Sequence, residues 1–123
     1  MTTINDAMNE IKIGDVLHSS FAVSTEQGEM IFKLISNYFT QDNQVAVDFT
    51  NVDLIVSTFL NAAIGQLYGE YTTDYIQKHL TIENMSNEDL QVLKLVTDRA
   101  KEYFKDKRGF DNVFKKNFPN AEE

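Results

Sequence analysis

Few residues in this sequence are of the kind that perform chemistry. The two histidines, His18 and His79, are far apart, and neither sits in an H-x-x-x-H, H-E-x-x-H or G-x-S-x-G setting. Zinc ligation and acyl transfer therefore lack a starting constellation, and each histidine reads as a surface or strand-end residue. The chain has no cysteine, which removes disulfides, thiolate metal sites and cysteine nucleophiles together and suits a reducing cytoplasm. The phosphate-cradling loops G-x-G-x-x-G and G-K-S/T are missing as well. Asp48 and Asp53 are close enough in sequence to form a carboxylate pair, although Asp53 in an Asn-Val-Asp turn is more simply a loop residue. These observations predict a protein that is not an enzyme and needs neither metal nor cofactor.

One segment differs from the rest. From Asp48 to Leu60 an apolar strand ends, a short loop follows, and two hydroxyl residues, Ser57 and Thr58, open what the pattern predicts to be a helix. One reading makes Ser57 or Thr58 an N-cap, its oxygen accepting a hydrogen bond from a free backbone N–H. The other makes the hydroxyl a phosphorylation site, since a helix N-terminus favours an added dianion. The two readings are compatible.

The elements that would position this segment follow from periodicity. Ile11, Ile13, Val16 and Leu17 suggest a first strand with Gly14 as a bend, and Phe21 to Val23 a second. Ser24 or Thr25 opens a helix with Met30, Ile31, Leu34, Ile35 and Tyr38 on one buried stripe. Asp42 and Asn43 turn into a central strand over residues 45–49. After a connection over residues 50–56, a second helix covers residues 57–71, with Phe59, Ala62, Ala63, Leu67 and Tyr71 inward. A third inner strand over residues 79–83 follows, with Leu80 and Ile82 alternating against Thr81 and Glu83. The longest helix starts at Ser86, buries Leu90, Leu93, Val96, Ala100, Tyr103 and Phe104, and ends at Lys107-Arg108-Gly109. Strands alternating with helices imply an α/β fold, a mixed β-sheet covered by helices chiefly on one face. With 123 residues and no linker-like stretch, one domain is expected over residues 1–106. A short aromatic tail helix over residues 107–123 (Phe110, Val113, Phe114, Phe118) would dock on that same domain.

Charge narrows the partners. The net charge is −8, which argues against nucleic acid, whose backbone needs clustered Lys and Arg. Residues 1–93 carry 3 basic and 13 acidic side chains, whereas residues 94–123 carry 8 basic and 6 acidic. That basic end reads as a solvated helix face plus a tail. Residues 1–10 lack the apolar run of a signal peptide, and no stretch approaches the roughly 20 apolar residues of a membrane span. A cytoplasmic protein that does not enter a membrane is expected.

The run V-A-V-D-F-T-N-V-D-L-I-V-S-T-F-L over residues 45–60 resembles the strand–loop–helix of STAS domains, the sulfate-transporter and anti-sigma-factor-antagonist group. Asp48, Val52 and Ser57 take the places of the strand-ending Asp, the loop Val and the acceptor serine of that group. More closely, Ser57-Thr58-Phe59 with Gly65 six residues later, preceded by Val47-Asp48-Phe49, is similar to the bacterial STAS-like domains of unknown function. Ser24 and Gly28 fit that subgroup's S-x-x-x-G opening. The sequence departs from the antagonists in having Val56 before the serine and Thr58-Phe59 after it. The resemblance implies a STAS-like fold and a regulatory protein-interaction module, switched by phosphorylation of Ser57. It also implies a protein partner, a serine kinase of the histidine-kinase-like ATPase fold or another regulatory protein. Asp53, Leu54, Ile55, Thr58, Phe59 and Asn61 would form the interaction surface around Ser57. Two alternatives stand beside this one. In the first, backbone N–H groups at Ser57 to Phe59 bind a small anion or nucleotide. In the second, the acidic residues 1–93 make an inhibitor that mimics nucleic acid.

Overall fold

A computed structural model describes residues 9–117, with side chains as far as Lys105. The chain begins with strand β1 (Asn9–Lys12), helix α1 (Ile13–Leu17), strand β2 (Phe21–Ala22) and helix α2 (Thr25–Thr40). Next come strands β3 (Val45–Asp48) and β4 (Leu54–Ile55), helix α3 (Ser57–Ala63) and a 3-10 helix over Gly65–Gly69. Helix α4 (Thr73–His79), strand β5 (Leu80–Glu83) and helix α5 (Asn87–Asn117) complete it.

β3 is the centre of a three-stranded sheet ordered β1-β3-β5, and β2 pairs with β4 in a second, two-stranded sheet. The α/β class is the one the sequence implies. Every pairing among the described residues is parallel, where the element order suggested a mixed sheet; each return runs through a helix, which is what parallel strands require. Register divides the larger sheet into two faces. Ile11, Val47 and Ile82 form one row, and Val45 with Leu80 another; Ile11, Val45 and Val47 belong to the hydrophobic core with Ile31, Ile35, Phe59 and Leu60, and the partly buried Leu80 and Ile82 pack against it. The opposite face carries Glu10, Lys12, Ala46, Asp48, Thr81 and Glu83.

Several expectations need correction. Ile13, Val16 and Leu17 lie on α1 rather than on a first strand; their spacing of three and four is helical, and a five-residue helix is too short for periodicity to announce. On α2 the buried positions are Gly28, Ile31, Ile35 and Phe39, while Met30 is exposed, so the stripe is rotated from the expected one. The expected helix over residues 57–71 is two pieces, α3 and the 3-10 helix, and after Thr72 the unexpected α4 follows. Thr72 caps α4 by accepting a bond from the Tyr75 N–H. Strand β4 was hidden inside the expected connection because it is only two residues long. α5 starts as expected, the Asp89 N–H bonding the Ser86 hydroxyl, but runs through Lys107-Arg108-Gly109 to Asn117. One Gly costs a helix only about 1 kcal/mol relative to Ala, too little to end it. Docking of Phe110, Val113, Phe114 and Phe118 lies outside the described residues.

Candidate functional site

The short strands β2 and β4 aim two helices in the same direction. β2 runs through Val23 into Ser24, which caps α2, and β4 runs through Val56 into α3. Ser24 forms a full capping box: its hydroxyl accepts from the Gln27 N–H at 3.1 Å, and the Gln27 side chain accepts from the Ser24 N–H at 3.0 Å. Gly28, one turn on, lies against α3, where a Cβ would meet the Ala62 Cβ at 2.6 Å and the Phe59 carbonyl oxygen at 2.7 Å. The S-x-x-x-G opening thus has a local physical cause. Its serine starts α2, and its glycine lets α2 approach the backbone of α3.

Ser57 occupies the first turn of α3 and is exposed. It is not the cap. The capping position is Val56, which offers no side-chain oxygen, so the first turn of α3 has no side-chain cap bond. Its leading backbone donors are therefore without an intrahelical partner. Thr58 and Asn61 are also exposed, and together with Ser57, Val96 and Arg99 they line a surface pocket of about 250 Å³. Arg99, which α5 contributes, makes no ion pair among the described residues. Sequence reasoning missed it because it lies 42 positions from Ser57 and only the packing of α5 on α3 brings the two together.

The other expected surface residues divide. Asp53 and Leu54 are exposed, but Ile55 is 9% exposed and Phe59 is fully buried. Ile55 and Phe59 belong to the core, not to a contact surface. A strand residue and its successor face opposite sides, so exposure of Leu54 requires burial of Ile55. Phe21, the partner of Leu54 across the β2–β4 pair, is exposed and was not anticipated.

Asp48 is 7% exposed. Its Oδ1 accepts from the Thr50 N–H at 2.9 Å, the Thr50 hydroxyl at 2.7 Å and the Asn84 amide at 2.9 Å. The Asn84 bond first, then the two from Thr50, hold its carboxyl below the usual range against the opposing effect of desolvation, with Lys12 adding to the lowering. Asp48 thereby ties the loop after β3 to the loop after β5. Carboxylate oxygens of Glu10, Asp48 and Glu83 lie within 4.8 Å of one another, a spacing hard cations accept. Only the register of β1, β3 and β5 reveals this group. Of the histidines, His18 ends α1 with a left-handed backbone. The ring of His79 is held between the Tyr75 carbonyl and the Asp42 carboxylate at 2.9 Å each.

A family model described as a STAS-like domain of unknown function matches residues 27–90. The chain belongs to that family. No curated protein and no solved structure matches it. The matched stretch of the STAS-like domain takes in Gly28, Asp48, Ser57 and Gly65 and stops before Arg99, so the α5 wall of the Ser57 pocket lies outside it. No helix among the described residues is long and apolar enough to cross a membrane.

Proposed function

We propose that this STAS-like domain is a regulatory protein-interaction module that acts by binding rather than by turnover, with Ser57 as its switch. The observation that carries the reading is the Ser57 pocket itself. An exposed hydroxyl stands at an uncapped helix start, in one pocket with Arg99, whose guanidinium makes no ion pair among the described residues. A phosphate on Ser57 would meet charge-assisted donors from Arg99 and from the first turn of α3. It would reverse the sign of a pocket whose charge is otherwise the Arg99 cation, which is enough to alter the fit of a partner. A serine kinase of the histidine-kinase-like ATPase fold, which the STAS resemblance implies, suits both the modification and the docking.

The test is chemical. Mass spectrometry of the protein taken from its own cells should find phosphate on Ser57, and Ser57→Asp should change partner binding. Binding unchanged in Ser57→Asp, with no phosphate on Ser57 under any growth condition, would sink the switch.

A further inference from the structure

Three of the large hydrophobic side chains exposed among the described residues, Phe21, Val23 and Leu54, cluster on the small β2–β4 sheet and its continuation. Phe21 and Leu54 are register partners in adjacent strands, exposed by 52% and 49%, while their neighbours Ala22 and Ile55 face the core. Cross-strand partners on one face stand about 5 Å apart, so the two side chains form one apolar patch, which Val23 extends on the β2 side. An exposed patch of this kind marks an interaction site more often than isolated surface residues do.

The segments that carry it are one-sided in charge. From Ile13 to Phe32 and from Phe49 to Gln77 the sequence has no lysine or arginine. Asp53 precedes Leu54 directly, Glu26 lies in the first turn of α2, and Asp15 lies on α1, which packs beside β2; all three are exposed. We propose that the Phe21–Leu54 patch is the docking site of a second protein, one that presents an apolar anchor ringed by Lys and Arg. An apolar centre supplies affinity, and the carboxylate rim supplies orientation and on-rate against a basic surface. The chain's own residues 1–8 do not fit this description, since they carry Asp6 and no basic side chain. The inference rests on the reading of the chain as an interaction module and states the chemistry of the partner that reading leaves open.

The experiment places a photo-crosslinking benzoylphenylalanine at position 54 in living cells, with the same group at exposed position 30 on α2 as control. Position 54 should capture a protein through a Lys/Arg-rich peptide, and position 30 should not. The captured protein, purified, is then titrated against variants confirmed as folded by their melting curves. Leu54→Ala and Phe21→Ser should each weaken binding at least tenfold. Asp53→Lys should do the same at low salt and less at high salt, and Met30→Ala should leave binding unchanged. The proposal is overturned if position 54 captures nothing, an acidic surface or a second copy of this chain, or if binding is indifferent to Leu54→Ala and Asp53→Lys. A partner that responds to Ser57→Asp but not to Leu54→Ala overturns this surface alone. One indifferent to both overturns the switch reading with it.

Discussion

Gly28 of α2 faces Ala62 of α3 so closely that a methyl group added at Gly28 would stand 2.6 Å from the Ala62 Cβ and 2.7 Å from the Phe59 carbonyl oxygen. Two effects oppose each other in Gly28→Ala. Helix propensity favours Ala by about 1 kcal/mol, whereas overpacking against a neighbour costs about 1–3 kcal/mol or more. The neighbour here includes backbone, which cannot rotate away, so the clash should win. A net loss of about 1–2 kcal/mol is expected in urea unfolding. Gly14→Ala is the control: its nearest neighbours are 3.7 Å away, and it should not destabilise.

That contact explains why part of the architecture was legible in the sequence and part was not. The long helices α2 and the start of α5 were readable because their burial repeats with a helical period, and β2, β3 and β5 because β-rich apolar runs stand between turn residues. The two-residue β4 and the short helices α1 and α4 were not, because neither a period nor a β-rich run has room to show in them. For the site, the loop from Asp48 to Ser57 was readable as a strand–loop–helix, and the exposure of Ser57 agrees with that. Its environment was not readable. Arg99 and Phe21 reach it through tertiary packing and strand pairing, which leave no local trace. The assignment of Phe59 to the surface failed because, near a helix start, the residue two positions past an exposed one turns inward.

Phe49 lies just past β3, is 2% exposed and belongs to the core. Phe49→Ala should cost about 3–5 kcal/mol, a large share of a small domain's total. Phe21→Ala, at an exposed phenylalanine, should stay within about 0.5 kcal/mol. Thermal melts of the pair measure the difference; equal melting temperatures would mean that Phe49 is not in the core.

Asp48 should give the fold a specific acid sensitivity. Its carboxyl is held below the ordinary range by Asn84 and Thr50, so the charged form is favoured by folding. That stability is fully present above the unfolded carboxylate value of about 3.9 and is lost as pH falls through the lower folded value. Asp48→Ala removes a charged acceptor from three donors and should cost on the order of 1.5–3 kcal/mol near neutral pH. Wild-type and variant stabilities, followed by urea unfolding across pH, should converge as pH drops below about 4. Curves that stay parallel would show that Asp48 does not carry the effect.

Two serines at helix starts should behave oppositely. Ser24 makes a reciprocal cap with Gln27, and Ser24→Ala should lose about 0.5–2 kcal/mol. Ser57 caps nothing, and Ser57→Ala should stay within about 0.5 kcal/mol, as an exposed substitution does. Chemical denaturation of both variants decides the matter. A loss at Ser57 as large as at Ser24 would restore it as the cap.

Ser57 and Arg99 together allow the switch to be tested apart from stability. Because Ser57 makes no cap bond, replacing it with Asp adds negative charge without removing a structural contact. Arg99, exposed and without an ion pair among the described residues, is the cation that shares its pocket. Ser57→Asp should therefore raise stability slightly, by about 0.3–1 kcal/mol, through the helix start and Arg99. High salt should shrink the gain, since both groups are exposed. In an Arg99→Ala background the same substitution should gain less, and the shortfall in the double-mutant cycle measures the pairing. A cycle with no coupling at low salt would mean that Arg99 does not answer charge at position 57, and the pocket would then lose its role in the switch.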